Sequence, residues 1–384
     1  MIESKPIVIV GAGPVGAVCA LALKQGGLDP LVAEARTADA PSNDRRTLAL
    51  SHGSRQILER LGVWVHLHEP TPISMIHISH KGGMGRALLT AQEEGVPALG
   101  YVLSYGDLGR ALDLALEENK VSVRYTSPVE EITPGAESAS IKIGGVQPCE
   151  FSSRLVVVAD GGRSEQVEHA KIKRDYNQVA VVAEVRTERP HHNLAYERFT
   201  PAGPVALLPK GDGYALVWVC QPEEAEKVVG LSDADFLARL QEHFGYRQGQ
   251  FLQVGPRGQF PLRLDWRGPG HQSRLVRIGN AAQTLHPVAG QGFNLGLRDA
   301  FELARLLIDD EGLDPGHPTL LKKFAASRRA DALGGIAFTD FLVRSFSTDF
   351  FPVKHARGLG LMALQALPPL KHFIARRMLF GARG

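Results

Sequence analysis

At 384 residues, with 44% hydrophobic and 22% charged residues, the chain has the composition of a soluble globular enzyme built as two domains, or as one large domain with an insertion. A net charge of +2 is too small to argue for nucleic acid. Cys19, Cys149 and Cys220 lie far apart, make no metal-ligand spacing and fit a reducing, cytoplasmic setting. No signal-peptide pattern is expected, because the early apolar run is broken by Gly11, Gly13 and Gly16. No apolar stretch reaches the length of a membrane-spanning helix.

Residues 7–10 form a short apolar run of the kind found in a buried parallel strand. Gly11-Ala12-Gly13-Pro14-Val15-Gly16 follows, then a helical pattern to Leu23 closed by Gly26 and Gly27, then a second strand at 30–33 that ends on Glu34. This is a complete βαβ dinucleotide fingerprint. Gly11 permits the tight turn, Gly13 lets a pyrophosphate approach the backbone, and Gly16 lets helix and strand pack closely. Glu34 stands where an acid accepts a ribose hydroxyl, which favours an unphosphorylated adenosine ribose over a 2′-phosphate.

Residues 39–46 read as polar loop. Arg45 and Arg46 are either a solvated pair or a contact to a bound cofactor. Residues 47–50 lead into a helix capped by Ser51. Residues 75–80 alternate and 86–90 follow a glycine-rich turn, the pattern of an antiparallel hairpin with one wet face. His77 and His80 point to opposite sides of that strand, so they cannot share a metal, and read as surface or sheet residues. An amphipathic helix is expected at 104–118. A strand at 155–159 ends in Asp160-Gly161-Gly162, an acid with glycines at the carboxyl end of a strand, where open α/β sheets bind ligands. Residues 178–264 are rich in strands, interrupted by one helix at 233–244. Trp218 and Phe260 are aromatics for a pocket or for the core.

The strand at 275–278 runs into Gly279–Asp299, GNAAQTLHPVAGQGFNLGLRD, a stretch with four glycines, a proline and little charge, out of which a helix runs from Phe293. Such a stretch reads as backbone pressed against something flat and partly anionic, with a helix N-terminus aimed at it. Further helices follow to the end. After Asp349 the tail has no acid, and Lys354, Arg357, Lys371, Arg376, Arg377 and Arg383 alternate with apolar residues. That pattern suits either an anionic membrane surface or a packed helix with a wet basic face.

Together, Gly11–Gly16 with Glu34, Asp160-Gly161 and the 279–297 stretch resemble the single-component FAD-dependent aromatic hydroxylases of the p-hydroxybenzoate hydroxylase type. The resemblance covers most of the chain. It extends to the ubiquinone-biosynthesis hydroxylases, and within them to the branch acting on a polyprenylated methoxyphenol, through residues 45–54 (RRTLALSHGS) and 197–209 (ERFTPAGPVALLP). Two positions depart from the wider family and are similar to that branch: Asn280 stands where aspartate is usual, and Val167 where arginine is usual. The resemblance implies an α/β fold, α+β overall. Its Rossmann-like FAD-binding domain (1–72, 98–176 and 265–330) is interleaved with an antiparallel-sheet substrate domain (73–97 and 177–264), followed by a helical C-terminal segment (331–384).

It also implies roles. Gly11, Gly13, Gly16 and Glu34 hold the ADP half of FAD, Arg46 contacts the cofactor, and Asp160 serves FAD and the incoming nicotinamide. Asn280 binds the middle of FAD, Gly290, Gln291, Gly292 and Asn294 lie along the isoalloxazine ring, and Pro287 borders the substrate. His286 is either an acid/base for the phenol or a turn residue before Pro287. The implied chemistry is ring hydroxylation by reduced flavin and O₂ through a C4a-hydroperoxide. The cofactor carries that chemistry while the protein orients and shields it. NAD(P)H has no second fingerprint, since Gly290-Gln291-Gly292 finds its next glycine at Gly296, one residue too far. It is therefore expected to bind transiently as co-substrate. Alternatives are a sibling hydroxylase acting at another ring position, and a non-catalytic FAD-binding scaffold. The expected partners are a prenylated phenol and, through 350–384, the inner face of the membrane or other proteins of the pathway. No metal is expected.

Overall fold

The computed structural model describes residues 3–38, 46–163, 172–268, 271–284, 290–310, 312, 314–346 and 351–381. In chain order, β1 (Glu3–Val10) leads into α1 (Pro14–Gln25), followed by β2 (Leu31–Ala33), β3 (Thr47–Ser51) and α2 (His52–Arg60). β4 (Thr71–Ile73), β5 (Met75–His80) and β6 (Arg86–Thr90) precede α3 (Ala91–Glu94), β7 (Gly100–Ser104) and α4 (Tyr105–Glu118). Then come β8 (Ser122–Arg124), β9 (Val129–Pro134), β10 (Ala139–Ile143) and β11 (Cys149–Val158). β12 (Ile172–Thr187), β13 (Leu194–Thr200), β14 (Gly203–Lys210) and β15 (Gly213–Cys220) are followed by α5 (Pro222–Gly230), α6 (Asp233–Phe244), β16 (Phe251–Val254) and β17 (Gly258–Trp266). The last elements are β18 (His271–Gln272), β19 (Leu275–Arg277), β20 (Gln283–Thr284), α7 (Gln291–Asp309), α8 (Pro318–Phe346), α9 (Phe351–Ala366) and α10 (Pro368–Phe380).

The first sheet has the order β18-β19-β11-β1-β2-β8, with β19, β11, β1, β2 and β8 parallel. Its central strands are apolar at successive positions because both faces are covered. Ile7, Ile9, Leu155 and Val157 pack on one side with α1, α4 and α7, while Val8, Val10, Val156 and Val158 pack on the other against Ile141, Ile143 and Phe151 of β10 and β11. Ala17, Ala20 and the other small residues of α1 let that helix sit fully buried on the sheet.

The second sheet has the order β20-β17-β12-β15-β14-β13-β5-β6 and is antiparallel except where β13 meets β5. Strand alternation sends Val181, Tyr196, Leu207, Leu216 and Trp218 to one face, under Phe236, Leu240 and Phe244 of α6. Trp218 is thus core, fully buried, and Phe260 lies exposed at a cavity wall. Two helices, not one, interrupt this region. α5 has the polar sequence PEEAEKVVG and buries only Ala225 and Val228, so its apolar stripe is too thin to read in advance. A small third sheet, β3-β7-β4, bridges the two.

The β5–β6 hairpin forms as expected, but its outer side is not wet. Leu361 and Leu364 of α9 and Ile374 of α10 pack on Ala87 and Ile78. His77 and His80 are buried residues of the sheet, not surface ones: His77 lies on the opposite face, against Tyr196 and Arg247, and His80 bonds Met84 O at 3.0 Å. Burial and the Arg247 guanidinium push the His77 imidazole down to about 4. In the tail, Lys371 bonds Glu93 at 2.8 Å, His372 meets Glu94 at 2.7 Å, and Arg357 is buried. Leu359, Met362, Leu367, Leu370 and Phe373 are left exposed, while the basic Arg357 and Lys371 are buried, so the described part of the tail shows more apolar surface than a wet basic face would.

Candidate active site

Three strands of the first sheet end side by side, and each hands over to one of the motifs. Val10 is in register with Val158, and Val158 with Arg277. Gly11, Asp160 and Gly279 therefore emerge together at the carboxyl edge of a parallel sheet, where such folds bind ligands. Backbone bonds fix the edge: Gly11 N donates to Ala33 O (2.8 Å), Ala159 N to Val10 O (2.9 Å) and Ile278 N to Val158 O (3.0 Å). A single cavity of about 1730 Å³ opens there and runs on to the second sheet and α9–α10. Gly11, Gly13, Glu34, Arg46, Asp160, Asn280, Gly290, Gln291, Gly292 and Asn294 all line it. Gly16 lies beneath, and His286 and Pro287 lie outside the described residues.

The three fingerprint glycines differ in what surrounds them. Gly11 has φ +98°, and a Cβ there would stand 2.9 Å from Ala159 O. At Gly16 a Cβ would stand 2.0 Å from Gly11 O, so helix and turn touch only because that side chain is absent. A Cβ at Gly13 would meet nothing within 4 Å. Gly13 is open on its cavity side, which suits a pyrophosphate. Glu34 is buried and bonds the loop it faces: Ala12 N donates to its Oε2 at 2.5 Å and Arg36 N to its Oε1 at 2.9 Å. Each carboxylate oxygen keeps lone-pair capacity for a ribose hydroxyl.

Two helices begin on this cavity without the usual caps. α1 starts at Gly13 and α7 at Gly290, with no side-chain cap bond and no acid in the first turn. By contrast, Ser51, Thr90, Ser104 and Ser232 cap α2, α3, α4 and α6. The positive end of the helix dipole is aimed at the cavity at both termini, which fits a diphosphate at one and a developing negative charge on a flavin ring at the other.

The stretch before α7 is clamped from below. Asn294 Nδ2 donates to Gly290 O (2.7 Å) and Ala49 O (3.0 Å), and Asn294 Oδ1 accepts from Ser51 N (2.8 Å). The amide of Asn294 is thus committed to β3 and the turn, and it positions the cavity wall. Asp299 Oδ2 accepts from Gly279 N (3.3 Å) and Gln283 Nε2 (2.8 Å), while its Oδ1 pairs with Arg328 at 2.7 Å. Arg328 also reaches Asp331 at 2.7 Å, which binds Arg298 at 3.2 Å. Burial pushes the Asp299 carboxyl above the usual carboxylate range, against the pull of Arg328. Sequence reading missed this network because Asp299 and Arg328 lie on different helices, with only the terminal Asp of the GLRD run as a signal.

Arg46 stacks over Tyr105, 5.0 Å from the ring centroid, and over Phe260 at 5.9 Å, joining the first lobe to the rim of the second sheet. Asn280 is exposed on the short turn after β19. Asp160 Oδ1 accepts from Gly162 N at 2.9 Å, and a Cβ at Gly162 would lie 3.2 Å from Asn280 O, so the second and third motifs touch. Tyr105, Arg110 and the Arg36–Asp113 pair also border the cavity and were not anticipated. The cavity-facing side of the second sheet is apolar along Ile76, Ile78, Ala195, Ala206, Leu208 and Val217, with Glu197 among them.

A family model described as FAD binding domain matches residues 4–336. The chain is similar to the ubiquinone hydroxylase UbiL of Rhodospirillum rubrum, at 36% identity over 381 residues, covering 96% of this chain and 88% of that protein. It is similar to the 3-demethoxyubiquinol 3-hydroxylase of Escherichia coli, at 31% identity with 95% and 96% covered. Its fold is that of p-nitrophenol 4-monooxygenase from Pseudomonas putida, with a TM-score of 0.80 over 100% of both chains at 19% identity. The chain therefore belongs to the FAD binding domain family, with FAD as its cofactor, and is an FAD-dependent monooxygenase grouped with the ubiquinone hydroxylases.

Proposed function

We propose that this chain hydroxylates the aromatic ring of a polyprenylated methoxyphenol in ubiquinone biosynthesis, using NAD(P)H and O₂. The observation that carries the reading is the continuity of the cavity. Its polar end is built from Gly11, Gly13, Glu34 and Asp160, and it passes without a break into an apolar chamber between the second sheet and α9–α10. Such a shape suits a dinucleotide at one end and a ring bearing a hydrocarbon tail at the other.

When bound, FAD supplies the oxygen chemistry. The protein's own part is to hold and shield. Glu34 would accept the ribose hydroxyls, the α1 N-terminus would hold the diphosphate, and Asn280 would take the middle of the cofactor. The segment Gly290–Asn294, held by the Asn294 amide, would present the α7 N-terminus to the ring edge where negative charge builds. Asp160 borders the place where a nicotinamide would enter. Apolar side chains of the second sheet keep water from the reacting ring.

The E. coli relative is named for hydroxylation at ring position 3, so a sibling activity at another position is the nearest alternative, and product regiochemistry separates the two. In the test, purified protein is yellow, and NAD(P)H oxidation under O₂ is coupled to a hydroxylated product of a prenylated methoxyphenol. A protein that takes up no FAD, or one that turns over no phenol, contradicts the reading.

Among the described residues no helix is long and apolar enough to cross a membrane. The exposed Leu359, Met362, Leu367, Leu370 and Phe373 on α9–α10 support peripheral contact with lipid, the place from which a prenylated substrate would come. Replacing Leu359 and Phe373 together by Glu is expected to reduce binding to vesicles containing anionic lipid, measured by flotation. Unchanged binding contradicts the contact.

A further inference from the structure

On the cavity-lining face of the second sheet, Glu197 stands among apolar side chains, with Glu184 and Arg263 elsewhere on the same lining. Alternation along β13 puts Ala195, Glu197 and Phe199 toward the cavity and Tyr196 toward α6. Glu197 is in register with Ile78 of β5 and Ala206 of β14, both apolar. No described residue offers its carboxyl a hydrogen bond or an ion pair, and burial alone pushes it up to about 7. Charged or titratable groups on neighbouring elements are His80 at the end of β5, Arg357 on α9, the Glu184–Lys210 pair at the rim, and Arg257 and Arg263 on the β17 side. None of them bonds to Glu197.

Glu197 is half-buried, its open side facing the cavity. A carboxyl set among apolar side chains without a protein partner costs free energy, and a ligand that completes its hydrogen bonding is favoured there. The complement must be a hydrogen-bond donor on an otherwise apolar molecule. A phenolic hydroxyl fits that description; an aliphatic tail or an anion does not. Position agrees. Ala195, two residues from Glu197 on the same face, and Leu208, two residues beyond Ala206, pack with Ile73 and Val102. Val102 pairs with Ala49, and Ala49 Cβ lies 3.4 Å from where a Gly290 Cβ would stand. Glu197 and the segment set against the flavin therefore border one chamber.

We infer that Glu197 receives the substrate's phenolic hydroxyl, accepting its hydrogen bond and then its proton as the ring is attacked. The inference rests on the proposed hydroxylase reading. In the step, the phenol O–H bond breaks and a carboxyl O–H bond forms. The electron pair stays on the phenol oxygen and feeds the ring carbon under attack. No oxidation is involved in this transfer, and the proton passes to solvent after product leaves. A carboxyl matched to near-neutral pH suits that task.

The test compares wild-type holoenzyme with Glu197→Gln and Glu197→Asp, using a short-chain prenylated 2-methoxyphenol and its methyl ether. Glu197→Gln is expected to retain FAD, to lose roughly 10²-fold in hydroxylation rate, and to lose the rise of rate through about pH 7. Glu197→Asp keeps that rise at a reduced rate. A readout independent of turnover is affinity for the oxidised, FAD-loaded protein. The phenol binds wild type about fivefold more tightly at about pH 8 than at about pH 6, because a carboxylate is the stronger acceptor. Neither the methyl ether nor the Gln variant shows that change. Wild-type rate and pH profile in Glu197→Gln would overturn the inference. Should that variant not take up FAD, the wild-type comparison decides: equal pH dependence for phenol and ether overturns it, and dependence for the phenol alone supports it. If wild type forms no product yet shows the phenol-specific dependence, the hydroxylase reading fails and the Glu197 contact stands.

Discussion

At the scale of single residues, the fingerprint glycines serve different ends, and substitution separates them. Gly16→Ala forces a Cβ to within 2.0 Å of Gly11 O, so both fold and cofactor suffer, with a stability loss of about 1–3 kcal/mol. Gly13→Ala meets no protein atom and has ordinary extended backbone, so apo-protein stability should change by less than about 1 kcal/mol while FAD affinity falls roughly tenfold. Urea unfolding of the apo-protein and fluorescence titration with FAD check the pair. Equal effects of the two alanines on FAD affinity and on stability would contradict the division of labour. Glu197 adds a pH signature of its own. Its folded value of about 7 lies above the ordinary 4.5, so folding favours the protonated acid. The protein pays nothing at acid pH, loses stability as pH rises from about 4.5 toward 7, and levels off above. Glu197→Gln should match wild type near pH 4.5 and exceed it by about 2–3 kcal/mol at pH 8, by the linkage relation. A difference that is flat with pH would show that the carboxyl is not confined. Gly11 and Gly16 were legible in the sequence because the packing of turn, helix and strand demands them at fixed spacing. Glu197 was not, because a glutamate in an alternating strand reads as a wet-face residue until the strand's cavity side is known.

At the scale of elements, cavity function is carried by the ends of α1 and α7 and by what holds them. Four other helices cap their first turn with a side chain and α5 and α10 do not; what sets α1 and α7 apart is that their uncapped N-termini, with glycine at the N-cap, line the cavity. Asp299 and Arg328 brace the turn after β19 against α7 and α8. Arg328→Ala would leave Asp299 buried without its guanidinium, and Asp331 with Arg298 alone, and is expected to cost about 3–5 kcal/mol, read by urea unfolding, together with weaker FAD retention. A loss under about 1 kcal/mol would mean that the brace is incidental. The start of α7 was singled out from its glycines. Its clamp was hidden, because Asn294 reaches Ser51 and Ala49, which are remote in sequence, and no local pattern records such pairing. α6 followed its apolar period to the residue, whereas α5 did not show one strong enough to read.

For the whole molecule, two sheets and a pair of terminal helices enclose one chamber, polar where FAD belongs and apolar where a prenylated ring belongs. The broad plan was legible because a parallel apolar sheet, an alternating second sheet and a helical tail each have their own period. The covering of the β5–β6 hairpin by α9–α10 was not, since it depends on which apolar face finds which partner across most of the chain. The most direct measurement is a single turnover. FAD-loaded protein is reduced anaerobically with NAD(P)H, mixed with a prenylated methoxyphenol, exposed to ¹⁸O₂, and the product is analysed by mass. The expected result is near-stoichiometric ring-hydroxylated product carrying one ¹⁸O atom. Reoxidation of the flavin to hydrogen peroxide alone, with the phenol recovered unchanged, would contradict a hydroxylase built on this chamber.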